Sequence, residues 1–496
     1  MKPIDSGGHA AYRDFLQENF LKFYPNPQSI SESTWQVIEK FWNLDLSEVN
    51  SQMSDLYSKC GPKPRLPSDM LRSLLVSVEF KIDSYTKWSY QLKINPLFAL
   101  LSVFLPGDTP GIGTFADFIK RLWMSPFANI NNKVHPPKIK INKPERVGEK
   151  AGNEQKTTVY QLIKQYEDNP YDTNQPYSRL FQLFNTNFLK KSCDLGLIDM
   201  KNLTISGDGT PIVTSARERF RRICDCESKG IRECTCPREY TQPDCDVGWD
   251  SSREHYYHGY DLYLLTCANS SNDLPIFPLL NPASMHDSLG LTHTWFAMKS
   301  FLPELNVEKV LLDAAHDAMA FYSYFQKTKV KAFIDLNKGC ALNKESPFRA
   351  DIVPDKDGIP ICPAGIRMRS DGRDIARGRI KYRCPMRSKK LGVTCPNPCT
   401  NAKHGRVEYI SSGQDIRFFT SPARGTKEWN DEYKARTSSE RCNKRIKKDY
   451  VYENGRYQSS RNWYCRLYCI MMCQHLDAWG SAGSTTSLKE YFAQAA

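Results

Sequence analysis

Residues 430–448, NDEYKARTSSERCNKRIKK, decide how the rest of the chain is read. They lie between Gly425 and Gly455 with no proline among them, so the spacing predicts one helix of several turns. At about 100° per residue, Tyr433, Arg436, Glu440 and Lys447 fall within an arc of about 60°. One stripe therefore carries a phenol, a guanidinium, a carboxylate and an ammonium. Asp431 and Glu432 open the helix while Lys444, Arg445, Lys447 and Lys448 close it, which suits the helix dipole. Thr437, Ser438 and Ser439 are only fair helix formers, so tertiary packing must hold the middle.

Upstream, two aspartates each follow an apolar run. Leu203 and Ile205 alternate with polar residues and predict a strand that ends near Asp208-Gly209. Val310-Leu311-Leu312 reads as a strand buried on both faces, with Asp313 at its carboxyl end. Tyr260 to Cys267, Asp273 to Leu280 and Val330 to Leu336 predict further strands. With a helix from Ala314 to about Lys327 they give an alternating α/β pattern. A single aspartate at a strand end is usually a cap or turn residue. Two of them, both ahead of the four-residue stripe, form a pattern.

The spacing Tyr-x2-Arg-x3-Glu-x6-Lys, with Asp208 and Asp313 before it, resembles the signature of one large group of DDE insertion-sequence transposases. The resemblance implies a ribonuclease H-like α/β catalytic core, a helical N-terminal domain and an inserted Cys/Arg-rich domain before the glutamate helix. It carries over Asp208, Asp313 and Glu440 as the catalytic, metal-binding carboxylates. Tyr433, Arg436 and Lys447 carry over as the residues that hold DNA phosphates at the transposon end. Asp317 and Asp335 are rivals for the second acid. The implied divisions are 1–132 (helical, binding DNA ends), 133–156 (basic linker), 157–338 (first part of the core), 339–424 (insert) and 425–496 (second part of the core).

The whole chain is compatible with that assignment. It has 496 residues, 40% hydrophobic and 25% charged, an ordinary globular composition. Its charge is less ordinary: 68 Lys+Arg against 55 Asp+Glu leaves +13, a surplus that commonly meets nucleic acid. The first residues show no apolar signal core, and the run from Pro96 to Pro106 is too short to span a bilayer. The expectation is a cytoplasmic, nucleoid-associated protein with no membrane partner. Trp35, Ile38, Phe41 and Trp42 recur at helical spacing, as do Leu71, Leu74, Leu75 and Val78. Arg65-Leu66-Pro67, Met70-Leu71, Thr114-Phe115, Phe118 and Arg121-Leu122 resemble the end-binding domain of the same transposases.

Seventeen cysteines in a chain without an export signal point to metal rather than disulfides. Cys224, Cys226, Cys234 and Cys236, in a Cys-rich insert at about 220–250, form two close pairs able to make a tetrahedral sulfur site for structural zinc. Cys362, Cys384, Cys395 and Cys399 are a looser second zinc candidate, with His404 nearby. They lie among Arg367, Arg369, Arg373, Arg377, Arg379 and Arg383, whose density suggests phosphate contact. Cys465, Cys469 and Cys473 share one helix face and read as core packing.

Three carboxylates suit two Mg2+ (or Mn2+) ions roughly 4 Å apart, which activate a nucleophile and stabilise the leaving oxygen. The expected substrate is double-stranded DNA, both terminal inverted repeats and target, held by a homodimer because two ends must meet. A hairpin step is implied by the resemblance alone. Two alternatives stand beside the transposase: a metal-dependent nuclease of the same core without strand transfer, and a zinc-stapled DNA-binding protein whose acids are structural.

Overall fold

The computed structural model describes the chain apart from residues 1–7, 59, 62, 131–133, 136–157, 216–219, 223, 235, 237, 241, 338–348, 356–358, 375–376, 388–394, 412–415, 419, 481–485 and 496. The basic linker expected over 133–156 lies outside the described residues except for a two-residue strand, Val134–His135.

One mixed sheet organises the fold. Its strands are β1 (Leu203–Val213), β2 (Asp246–Asp250), β3 (His255–Cys267), β4 (Leu274–Pro282), β5 (Val307–Leu312) and β6 (Lys331–Ile334). The spatial order is β4-β3-β1-β5-β6, with β2 pairing to the first half of β3. β1, β3 and β4 are antiparallel neighbours, whereas β1, β5 and β6 run parallel. The run Tyr260–Cys267 in β3 is buried at every position, as a strand covered on both faces must be.

Helices lie on both faces. On the side of Tyr263 are α2 (Asp287–Phe301) and α3 (Met319–Lys327), after α1 (Pro67–Glu79) in the chain; Trp295 and Phe325 join α2 to α3 with ring centroids 5.0 Å apart. On the side of Ser206 are α4 (Thr437–Lys444) and α5 (Ser460–Trp479). There Trp463 meets Tyr260 at 6.2 Å and Cys442 Sγ meets Gln474 Oε1 at 3.2 Å. The result is a mixed α/β architecture.

The core ignores the boundary expected at residue 132. A single buried apolar cluster runs from Tyr12 to Phe492. α1 packs on α5, where Cys473 Sγ approaches the Leu75 carbonyl at 3.8 Å and Arg466 Nη1 donates to Ser77 Oγ at 3.3 Å. Helix Leu488–Ala495 returns to the first helices, stacking Phe492 on Phe20 at 5.3 Å. α5 is buried nearly all round because it has neighbours nearly all round, with Arg466, Gln474 and His475 hydrogen-bonded inside and Cys465, Cys469 and Cys473 buried in it.

Within 339–424, strands Arg369–Asp374, Arg379–Arg383 and Val407–Ser411 form an antiparallel sheet over a small separate core that includes Ile352, Ile380, Tyr382 and Ile410. Several of the arginines expected to meet phosphate are engaged by neighbouring acids instead. Arg367 pairs with Asp355 at 2.6 Å, Arg379 with Asp374 at 3.3 Å and Arg383 with Asp371 at 3.0 Å. Among the described residues no helix is long and apolar enough to cross a membrane.

A shared core makes a mechanical prediction. Leu467, fully buried in α5, should cost about 2–5 kcal/mol when replaced by alanine. Urea unfolding should show the helices before residue 123 and the sheet losing structure in one transition that Leu467→Ala moves as a whole. An earlier, separate transition of the N-terminal helices would contradict it.

Candidate active site

Strand register brings two acids together. Ser206↔Leu311 is the last parallel pair of β1 and β5, and Asp208 and Asp313 each stand two residues beyond it. β1 itself does not stop near Asp208-Gly209 as the sequence suggested; it continues to Val213, paired to β3. What ends there is its parallel neighbour, since Asp313 turns out of β5 to cap the short turn Ala314–His316, accepting from Ala315 N at 3.1 Å.

Alternation places Ser206, Asp208 and Thr210 on the face beneath the helical run of the signature. Ser206 Oγ donates to the Arg436 carbonyl at 2.7 Å and lies 2.8 Å from Ser439 Oγ. One turn later Asn443 Nδ2 donates to Asp208 Oδ2 at 3.2 Å. One more turn on, Lys447 Nζ donates to the Pro211 carbonyl at 2.6 Å and pairs with Glu453 at 3.3 Å. Two strand residues advance about 6.6 Å and one helical turn about 5.4 Å, so the two elements stay in step over this span. Arg441 fixes the helix to the β3–β4 turn, donating through Nε and Nη2 to Asp273 at 2.6 Å each.

The single helix expected over 430–448 is a continuous helical path of changing pitch. An α-helical segment Lys427–Tyr433 tightens at Lys434–Arg436, resumes as α4, and widens into a π turn at Arg445–Asp449. Both ends are held by tertiary contacts: the Tyr433 hydroxyl donates to the Leu312 carbonyl at 3.1 Å, and Lys447 reaches β1.

Asp208, Asp313 and Glu440 share one neighbourhood without being drawn into one cluster of ligand atoms. Among the described residues only a thiol quartet has all its ligand atoms within 4.8 Å of one another. Glu440, half-exposed, is held by an ion pair with Arg436. Burial and the adjacent Asp313 carboxylate push Asp208 up to about 7, with Arg436 opposing and Asp287 and Glu440 adding to the rise. Burial is the largest influence on Asp313 and works against its ionised form, but the hydrogen bond and charge of His316, the Ala315 N–H and Arg436 together outweigh it, and its pKa falls below the ordinary carboxylate value. His316 Nδ1 meets Asp313 Oδ1 at 2.7 Å while its Nε2 meets the Tyr263 hydroxyl at 2.8 Å. His316 thus bridges the Asp313 carboxylate and the Tyr263 hydroxyl through its two ring nitrogens, the Nδ1 proton pointing to the carboxylate.

Sequence reasoning missed the opposite face of this site. A Cβ on Gly207 would lie 2.9 Å from the Tyr263 hydroxyl oxygen, and one on Gly209 would lie 2.9 Å from Asp287 Oδ1 and 3.0 Å from Asp261 Oδ1. The two glycines flanking Asp208 thus admit bulky and acidic groups from β3 and α2 to the same strand position. Asp261 is buried, its Oδ2 without a hydrogen-bond partner, and burial with the nearby Asp287 raises it well above the usual range. Asn443 and His316 were within reach of reasoning: each stands three residues after a singled-out acid. Nothing in the sequence alone assigns Asp261 or Asp287 to this place.

Of the rival acids, Asp317 is consumed by structure, accepting from Asn337 N at 2.9 Å and pairing with Arg417 at 3.7 Å. Asp335 lies beside Tyr433 and, after burial, helps raise that phenol's pKa. Lys63, Arg65, Thr114, Phe118 and Arg121 line a cleft of about 480 Å³ in the N-terminal helical region, which joins parts of the motif quoted there.

The two cysteine sets fare differently. Cys224 and Cys234 have sulfurs 3.6 Å apart, as do Cys226 and Cys236, and the four together could hold a metal such as zinc. Cys362, Cys384, Cys395 and Cys399 form no such group; Cys362 is packed into the small core of the insert. Compared with protein-family models and with curated proteins, the chain matches none.

The raised Asp208 has a sign that can be measured. Its native pKa lies near 7 against an ordinary 3.8, so ionisation costs native stability increasingly as pH rises from about 4 to about 7. In buffer with chelator, Asp208→Asn should raise the unfolding free energy at pH 8 by a few kcal/mol, at about 1.4 kcal/mol per pKa unit, less the value of the Asn443 contact, and the melting temperature with it. The gain should fade toward pH 4. Equal effects at both pH values would contradict the assigned cause.

Proposed function

We propose that this chain is a DDE transposase that cleaves double-stranded DNA at the ends of a mobile element and joins the freed 3′-hydroxyl to DNA. The observation that carries the reading is the pairing of strand order with acid position. An antiparallel trio followed by two parallel strands, ordered β4-β3-β1-β5-β6, supports reading the sheet as a ribonuclease H-like core. Asp208 within β1 and Asp313 just past the end of β5 stand equally far beyond the last parallel pair, and Glu440 comes from a helix packed on the Asp208 face.

The donor set suits hard divalent ions. It offers carboxylates without thiols, and Asp208 is raised toward neutrality by burial and by Asp313, a strain that a cation would relieve. Asp208, Asp313 and Glu440 would hold Mg2+ or Mn2+. When bound, such ions supply Lewis-acid stabilisation of phosphorus-bound oxygens and a water or hydroxyl made nucleophilic.

The chain's own groups do the rest. His316, anchored by Tyr263, keeps Asp313 ionised and aimed. Asn443 orients Asp208. Arg436 offers a planar, bidentate donor to a DNA phosphate, and in taking it must release Glu440, so substrate binding frees the third carboxylate. Lys447 supplies a point charge and Tyr433 a hydroxyl donor. The N-terminal cleft with Lys63, Arg65 and Arg121 would contact the terminal repeats, and a homodimer would bring two ends together.

The test uses purified protein, Mg2+ and DNA carrying the repeats that flank its gene. Cleavage and joining of a pre-cut end to target DNA are expected. Asp208→Asn and Glu440→Gln should each lower cleavage at least about 10²-fold, the scale for removing one group from a preorganised electrostatic site. End binding should stay within a few-fold. Hydrolysis without joining would instead make the protein a nuclease, and binding indifferent to Mg2+ with no cleavage would sink both.

A further inference from the structure

Nothing in phosphodiester chemistry uses the thiol quartet, yet its geometry is the tightest ligand arrangement among the described residues. Sulfurs at the corners of a tetrahedron about 2.3 Å from a central zinc are about 3.8 Å apart. Cys224–Cys234 and Cys226–Cys236 are each separated by 3.6 Å, whereas a disulfide would bring sulfurs to about 2.05 Å. The quartet therefore has the dimensions of a closed four-thiolate site.

The surrounding segment needs such a staple. From Cys224 to Cys236 every described residue is exposed or half-buried, and Ile231 projects into solvent. No described residue of this stretch joins the main apolar core. A hairpin with no core of its own cannot recover the conformational entropy of ordering its backbone by burial. Strands Phe220–Arg222 and Arg238–Tyr240 flank the thiols and pair with each other. Arg238–Tyr240 also pairs with Val134–His135, at Val134↔Glu239 and His135↔Arg238. That strand comes from the segment between the N-terminal helices and the sheet, while the hairpin itself interrupts the chain between β1 and β2.

We infer that Cys224, Cys226, Cys234 and Cys236 bind one zinc ion as a closed structural site, and that this ion folds the hairpin on which Val134–His135 docks. The thiols give up their protons on binding, and no electron is transferred. The metal thus fastens the segment leading out of the N-terminal helices to the strand that carries Asp208.

Metal analysis of full-length protein purified without chelator should give about one zinc per chain. Cobalt exchanged into the protein should show the intense visible bands of a tetrahedral thiolate site. Cys226→Ser/Cys236→Ser should lower zinc content at least about tenfold, whereas Cys395→Ser/Cys399→Ser should retain it. Should the first double variant fail to fold, chelation and zinc return on the wild-type protein give the same answer. Hydrogen exchange should then report loss of protection at residues 134–135 and 238–240 on chelation and recovery on zinc addition. Iron in place of zinc, two disulfides in the native protein, zinc lost with Cys395 and Cys399, or exchange unchanged by chelation would each overturn the inference. None of these measurements involves DNA, so their outcome is independent of the transposase assay.

Discussion

The structure depends on holding carboxylates near one another around the middle of β1, where its parallel neighbour β5 ends. Asp208, Asp313 and Glu440 on one face of β1, and Asp261 and Asp287 on the other, lie near enough to influence one another, and charges of like sign in a poorly solvated place repel strongly. The protein offsets the repulsion in several ways at once. Arg436 takes Glu440, His316 takes Asp313, Asn443 donates to Asp208, and Lys447 lies near enough to oppose the rise at Asp261. Only a rigid support could enforce such a gathering. It is supplied by β1 between β3 and β5, with α4 clamped to the β3–β4 turn through Arg441 and Asp273.

Much of this was legible in the residues. The apolar runs marked the central strands because strands covered on both faces cannot carry polar side chains freely. The helical period of Tyr433, Arg436, Glu440 and Lys447 marked a stripe beside the face that meets the sheet, which Ser439 and Asn443 supply, even though the path changes pitch at both ends. Other features were hidden for physical reasons. Asp261 looks like any polar residue in a strand until its cross-strand partners are known, and Gly207 and Gly209 show their use only beside Tyr263 and Asp287. The arginines of the insert looked like a phosphate surface because composition counts charges and not the acids opposite them.

Cysteine shows the same contrast within one residue type. Spacing alone made two metal candidates, and only three-dimensional closure separates them. In one set the four sulfurs converge; in the other, Cys362 is packed like an aliphatic side chain. In α5, three cysteines on one face are simply buried among aromatic neighbours. The thiol is soft enough for all these surroundings, so its neighbours decide its role.

The contact of Phe492 with Phe20 has a consequence for biosynthesis. The first helices emerge from the ribosome long before the segment that completes their packing. Until Leu488–Ala495 arrives, the surface around Phe20 and Trp35 stays open to water. A nascent or prematurely stopped chain therefore exposes an adhesive apolar patch to the cell's chaperones and proteases, and only the finished polypeptide hides it.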